Sequence, residues 1–154
     1  MNRESMFEVL VYMFENYVVD NIQPDHNTLT KELFAAGFDH SEITDAVEWF
    51  NALEAMASSA TEGLSAATRI YSEEEKTKFD TESLSFLMFL AQANIINLTQ
   101  HEIVIERAMA LPQTSIHLEE IRWVVLMVLR KQGKTKDFLF VEDAMFHEDQ
   151  PTLH

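Results

Sequence analysis

The 154-residue sequence has no cysteine, three glycines and three prolines. Without cysteine there can be no disulfide, no thiol nucleophile and no thiolate metal site. So few glycines and prolines leave little material for tight turns, which favours long helices. The glycines at 37, 63 and 133 stand alone, so no Gly-rich phosphate loop is present. Bases are scarce as well: 11 Lys and Arg face 26 Asp and Glu, a net charge of −15. Such a field repels phosphate backbones and disfavours direct nucleic-acid binding, while a basic protein partner stays compatible. No apolar run approaches the ~20 residues that a membrane-spanning helix needs. Near the N-terminus the apolar stretch is broken by Glu8 and Glu15 and lacks a small-residue cleavage site. The expectation is a cytoplasmic chain with no membrane association.

What is present is apolar: 47% of residues are hydrophobic, enough for a substantial core. From Trp123 to Leu129 no polar side chain occurs. A helix that is apolar all round must be covered all round. Glu119 and Glu120 at its start and Arg130 and Lys131 at its end suit the helix dipole. Gly133 follows as a C′ residue. This stretch is predicted to be the buried hub of an all-α protein.

Around it, local punctuation predicts the other helices. Ser5 and Glu8 form a capping box opening a helix to about Asn21. Pro24 and Asp25 mark a loop, and Asn27 caps a short helix to Ala36. Gly37 fits a helix-ending left-handed turn. Asp39 and Glu42 form the next box, with Phe38 and Ile43 as a hydrophobic staple across it. That helix buries Ile43, Ala46, Val47, Phe50 and Leu53, with Trp49 at the edge of the stripe. Residues 58–71 read as a linker of small residues, with Arg69, Ile70 and Tyr71 briefly extended. Ser72 and Glu75 open a long helix to about Asn94 that Asp80 and Thr81 are placed to break. Thr99 caps a helix ending at Leu111 and Pro112. The pattern of apolar residue, cap, Glu and Ile recurs at Leu98–Ile103 and at Ile116–Ile121. The predicted architecture is six or seven helices in two packed three-helix units, 1–57 and 72–134. A tail over 135–154 follows, with a short helix compatible with 137–147.

Candidate sites are sparse. The acidic pairs Glu119/Glu120, Glu142/Asp143 and Glu148/Asp149 are sequence neighbours, which point about 100° apart on a helix and form no carboxylate dyad. The six histidines occur in no His-Glu-x-x-His or His-x-x-x-His arrangement, and no Gly-x-Ser-x-Gly turn occurs. No catalytic residue, metal ligand or cofactor is therefore assigned. From Arg122 to Lys136 there are five bases and no acid. Their ordinary role is dipole pairing, and Arg122, Arg130, Lys131 and Lys134 would otherwise form a small anionic docking spot. Trp49, with the many Met and Phe residues, would contribute to an interaction groove, although such residues at helical spacing usually form core. Glu106 and Arg107 are ordinarily an ion pair and otherwise a recognition point for a charged partner.

Several stretches together resemble the bacterial Smg family: Phe7 to Tyr17, Ala36-Gly37-Phe38 followed by Glu42-Ile43, Arg69 to Tyr71 with Glu73-Glu74, Glu102 to Leu111, Leu118 to Leu129, and the closing Leu153-His154. They run in order over nearly the whole chain. The departures are His101, where relatives usually carry Arg, and His117, where an acid is common. The resemblance implies no activity and carries over no catalytic residue. Relatives often encoded near a DNA-processing protein supply a context only. Three readings follow. The first is a non-enzymatic protein-interaction protein. The second is a nucleic-acid-associated factor with helix-turn-helix-like units, placing the bases of Arg122–Lys136 on phosphate. The third is an enzyme whose site joins His101, Glu106 or Arg107 in a deep pocket.

Overall fold

A computed structural model describes residues 6–18, 22, 24–59 and 71–131. Among them are seven α-helices and one wider π-type turn, and no strand. The all-α expectation holds. The Ser5 cap, most of the 58–71 linker, Gly133, Lys134 and the 137–147 helix lie outside the described residues.

Helix α1, Met6–Met13, buries Met6, Phe7, Val9, Leu10 and Met13. It does not continue as an α-helix to residue 21; Phe14–Val18 form the π-type turn. Side-chain hydrogen bonds accompany the change. Asn16 Nδ2 donates to the Tyr12 carbonyl at 2.9 Å, and the Tyr17 hydroxyl donates to the Glu32 carboxylate. Helix α2, His26–Ala35, is capped by Asp25 rather than Asn27, with the Thr28 N–H at 2.8 Å from its carboxylate. The charged cap lies at the helix's positive end, which explains its advantage over the Asn two residues on. Gly37 ends the helix at φ +106°, and the Phe38 N–H reaches back to the Leu33 carbonyl. Phe38 packs edge-on against Tyr12 and Ile43 is buried, so both halves of the predicted staple reach the core.

Helix α3, His40–Ser59, buries all five predicted stripe residues, and Trp49 with them. The Ser72–Glu75 box forms in full and opens α4, Glu73–Lys78. The long helix then breaks where Asp80 and Thr81 are placed to break it. Phe79 is extended, and Asp80 caps α5, Thr81–Gln92. Helix α6, Leu98–Met109, starts one residue before the predicted Thr99 cap, because Asn97 and Gln100 form the capping box instead. Asn is the stronger cap, and Gln100 sits at the third helical position that the reciprocal bond requires. At its other end Lys78 Nζ donates to the carbonyls of Met109 at 2.9 Å and Leu111 at 2.7 Å. An ammonium satisfies carbonyls that the ending helix would leave bare.

Helix α7, Leu118–Lys131, is the hub. Val124 to Leu129 have no exposed surface, and α7 packs against α3, α5, α6 and the π-type turn. Each such apolar side chain is worth about 1.5–3 kcal/mol against exposure. Uncovering them together would cost about as much as the ~5–15 kcal/mol net stability of an ordinary domain. One continuous core joins the helices of both halves of the chain. No helix among the described residues is long and apolar enough to cross a membrane.

Candidate functional site

The periodicity of α6 turns Gln100, His101, Val104, Arg107 and Ala108 inward. That brings Arg107 against Trp49 on α3. Trp49 Nε1 donates to the Arg107 carbonyl at 3.0 Å, and Arg107 Nη1 donates to the Trp49 carbonyl at 3.2 Å. The guanidinium carbon lies 5.3 Å from the indole centroid, within cation–π range. Arg107 Nε donates to Glu106 at 2.8 Å, so the charge is held between a ring face and a half-exposed carboxylate. Three of the sequence-predicted site residues thus meet in one reciprocal clasp. The Arg107 side chain is 8% exposed. Trp49 lies inside the core, not at its edge, because a residue 58 positions away in sequence covers it.

Of the basic stretch, Arg122, Arg130 and Lys131 lie among the described residues, and each meets a different partner. Arg122 lies over the Phe86 ring of α5, 5.9 Å from its centroid. Arg130 Nε donates to the Val18 carbonyl at 3.4 Å, and Lys131 Nζ lies 2.7 Å from Glu54 of α3. These cations address two different sides of α7.

His101 is buried, with Nε2 at 2.8 Å from the Tyr71 hydroxyl. A surface hollow of about 360 Å³ is lined by Glu75, Glu102 and Glu106 together with Ile105, Met109 and Ala110, so neither His101 nor Arg107 opens into it. Among the described residues no three His, Asp or Glu are grouped as metal ligands. A smaller groove of about 210 Å³ lies between the π-type turn, α2 and α3, with Met13, Tyr17, Leu29 and Phe50 in its walls and Lys131 and Glu54 at its rim.

Helix α5 differs from the others in what it leaves outside. Ser83, Leu87 and Leu90 face inward, and Leu84 and Phe86 are half-buried. Met88 and Phe89 are 45% and 52% exposed. Elsewhere Ile22 and Phe34 are also exposed.

One cluster had no local sequence signal. The Asp80 carboxylate accepts from the Ser83 N–H at 2.8 Å and lies 2.9 Å from His117 Nδ1. Burial pushes the Asp80 carboxyl up, but the hydrogen bonds from His117 and Ser83 outweigh it and hold the group below its usual range. The hydrogen bond to Asp80 raises His117 above its ordinary value. The sequence marked only a helix break at Asp80 and Thr81; the His117 partner is 37 residues distant.

The family model described as a protein of unknown function, DUF494, matches residues 6–154. A protein of Methylobacillus flagellatus named Protein Smg homolog is 57% identical over 150 residues, covering 97% of this chain and 100% of the relative. Namesakes from Alkalilimnicola ehrlichii and Alteromonas mediterranea are 40% and 39% identical, covering 99% and 97% of this chain and 99% and 100% of their own lengths. No solved structure matches. The motifs that resemble the Smg family, the family model over almost the entire length and these full-length relatives agree: the chain belongs to the DUF494 family, whose members include the Smg homologs.

Proposed function

We propose that this chain is a non-enzymatic, cytoplasmic protein-interaction protein that offers the outer side of α5 to another protein. The observation that carries the reading is the exposure of two large apolar side chains, Met88 and Phe89, on the outer half of α5, with half-buried Phe86 one turn before Phe89. A single exposed apolar residue is ordinary. Two large ones on the outer half of one helix, one of them a flexible and polarizable methionine, are suited to packing against a partner. The clasp at Trp49, Glu106 and Arg107 ties α6 to α3, and on this reading its role is to position rather than to touch.

A nucleic-acid role has less support. Arg107 is buried, and Arg122, Arg130 and Lys131 are each engaged with protein groups. A protein with a −15 field would need those cations free to meet phosphates.

The test is a Met88→Ser/Phe89→Ser double variant. Substitution at exposed positions should leave the urea midpoint within ~0.5 kcal/mol of wild type. The protein captured from native cytosol by the wild-type chain, and retained through a high-salt wash, should be lost from the variant. Equal capture by both would refute α5 as the docking face. Salt-sensitive binding of DNA or RNA at low ionic strength, unaffected by the double variant, would favour the nucleic-acid reading instead.

A further inference from the structure

The α4–α5 junction and the segment leading into α7 meet in a compact node. Phe79 and Ile116 pair as an isolated parallel bridge, and both side chains are buried. The Ile116 N–H donates to the Lys78 carbonyl at 2.8 Å, and the Asp80 N–H donates to the Ile116 carbonyl at 3.1 Å. The Ser83 hydroxyl, itself fully buried, donates to the same Ile116 carbonyl at 3.1 Å. Above this dry base lies one ion pair in contact with solvent, Asp80 with His117. One carboxylate therefore does two things. Through Oδ1 it caps α5, and through Oδ2 it holds the residue that leads into the hub helix.

We propose that the Asp80–His117 pair is a proton-operated strap: with His117 protonated it draws the α6–α7 loop onto the N-terminal end of α5, and loss of that proton slackens the node.

The charges that face His117 agree on the direction. From α5 come Asp80 and Glu82; from α7 comes Glu120, whose carboxylate also accepts the His117 backbone N–H at 2.8 Å. From α4, the Lys78 ammonium is bound to the carbonyls of Met109 and Leu111. All three acids favour the imidazolium, and the Asp80 hydrogen bond is the largest cause. Because the folded chain raises His117, the strap is complete below the ordinary histidine value of 6.5 and slackens as pH climbs through the raised one. Asp80 is lowered, so its side of the pair is present above the ordinary 3.8 and is lost only as pH falls through its depressed value. The strap is thus tightest in mild acid and loosens as pH rises through the raised His117 value. An effect of the strap on partner capture rests on α5 being the docking face; the strap itself does not.

The test follows His117 by NMR titration of its ring in the full-length chain. In parallel it follows backbone amide exchange at Ile116 and Asp80, corrected for intrinsic rate, from acid to alkaline pH. Protection at those two amides should fall about threefold across the His117 titration, the size expected of a solvent-exposed pair. Asp80→Asn keeps a helix-capping side chain but not the charge. It should move the His117 titration down and flatten the pH response of both amides. His117→Gln should flatten it as well, with the fold intact. Protection in the wild type that ignores pH, or a pH response that survives Asp80→Asn, would overturn the proposal. If the amides respond as expected while the Met88→Ser/Phe89→Ser variant captures partner normally, the docking reading fails and the strap stands.

Discussion

Replacing Arg107 with alanine tests the clasp directly. The guanidinium donates to the Trp49 carbonyl at 3.2 Å and lies 5.3 Å from the indole centroid, with its side chain 8% exposed. A hydrogen bond from a charged donor is worth about 1.5–3 kcal/mol. A desolvated cation–π contact adds about 2. The buried methylenes of the stem contribute about 0.8 each. Against this, freeing the side chain returns about 2 kcal/mol of rotamer entropy, and the Trp49 carbonyl keeps its own bond within α3. The half-exposed Glu106 partner counts for little. A net loss of about 3 kcal/mol is expected for Arg107→Ala. Arg107→Lys, which keeps the charge but not the fork, should cost about 1. Urea unfolding followed by far-ultraviolet circular dichroism and by tryptophan fluorescence measures both. At ~2–4 °C per kcal/mol for a chain of this size, the alanine variant should melt about 6–12 °C lower. In a double-mutant cycle with Trp49→Phe the two costs should fall short of additive by about 1 kcal/mol. Buried charges are often replaceable by apolar side chains of similar volume, so Arg107→Met is the decisive control. If it is as stable as wild type, the guanidinium contributes nothing beyond its stem and the clasp is incidental.

Two further outcomes follow from particular side chains. Asn97→Ala should destabilise by about 1 kcal/mol through loss of the α6 capping box, whereas Thr99→Ala should stay within ~0.3 kcal/mol; equal effects in urea titrations would restore Thr99 as the cap. Burial, and then the hydrogen bond to Glu32, push Tyr17 up to about 12. Its phenol should therefore remain protonated past its ordinary 10.0, and its contribution to stability should decline as pH rises from there towards that raised value. Ultraviolet titration of Tyr17→Phe against wild type measures this, and loss of a transition near 10.0 in that variant would contradict it.

What could be read in the chain was whatever neighbours decide. The Ser72 and Glu75 box, the left-handed turn at Gly37, the break before Thr81 and the burial of Trp123–Leu129 each depend on residues within a turn or two of one another. The errors have the same origin. Asn27 and Asn97 lie within two residues of rival caps, and choosing between Asp25 and Asn27, or Asn97 and Thr99, turns on small differences in capping strength. Trp49 looked marginal on the α3 wheel because its cover comes from α6. Arg130 and Lys131 suited a helix dipole, yet they reach the π-type turn and α3. The apolar run of α5 gave no sign that Leu87 and Leu90 would win the interior while Met88 and Phe89 stayed outside. That sorting is made by α6 and α7, and no window along α5 contains it.

The position of α7 in the chain bears on how the molecule is made. Synthesis proceeds from the N-terminus, so the π-type turn, α3, α5 and α6 emerge before the helix that packs against all of them. Until residues 118–131 have been added, their apolar sides have no common centre, and such surfaces on a nascent chain invite aggregation or chaperones. Completion of the core is therefore expected only late in synthesis. A ribosome stalled before Leu118 should hold a protease-sensitive chain, and one stalled after the hub has cleared the tunnel should hold a resistant one.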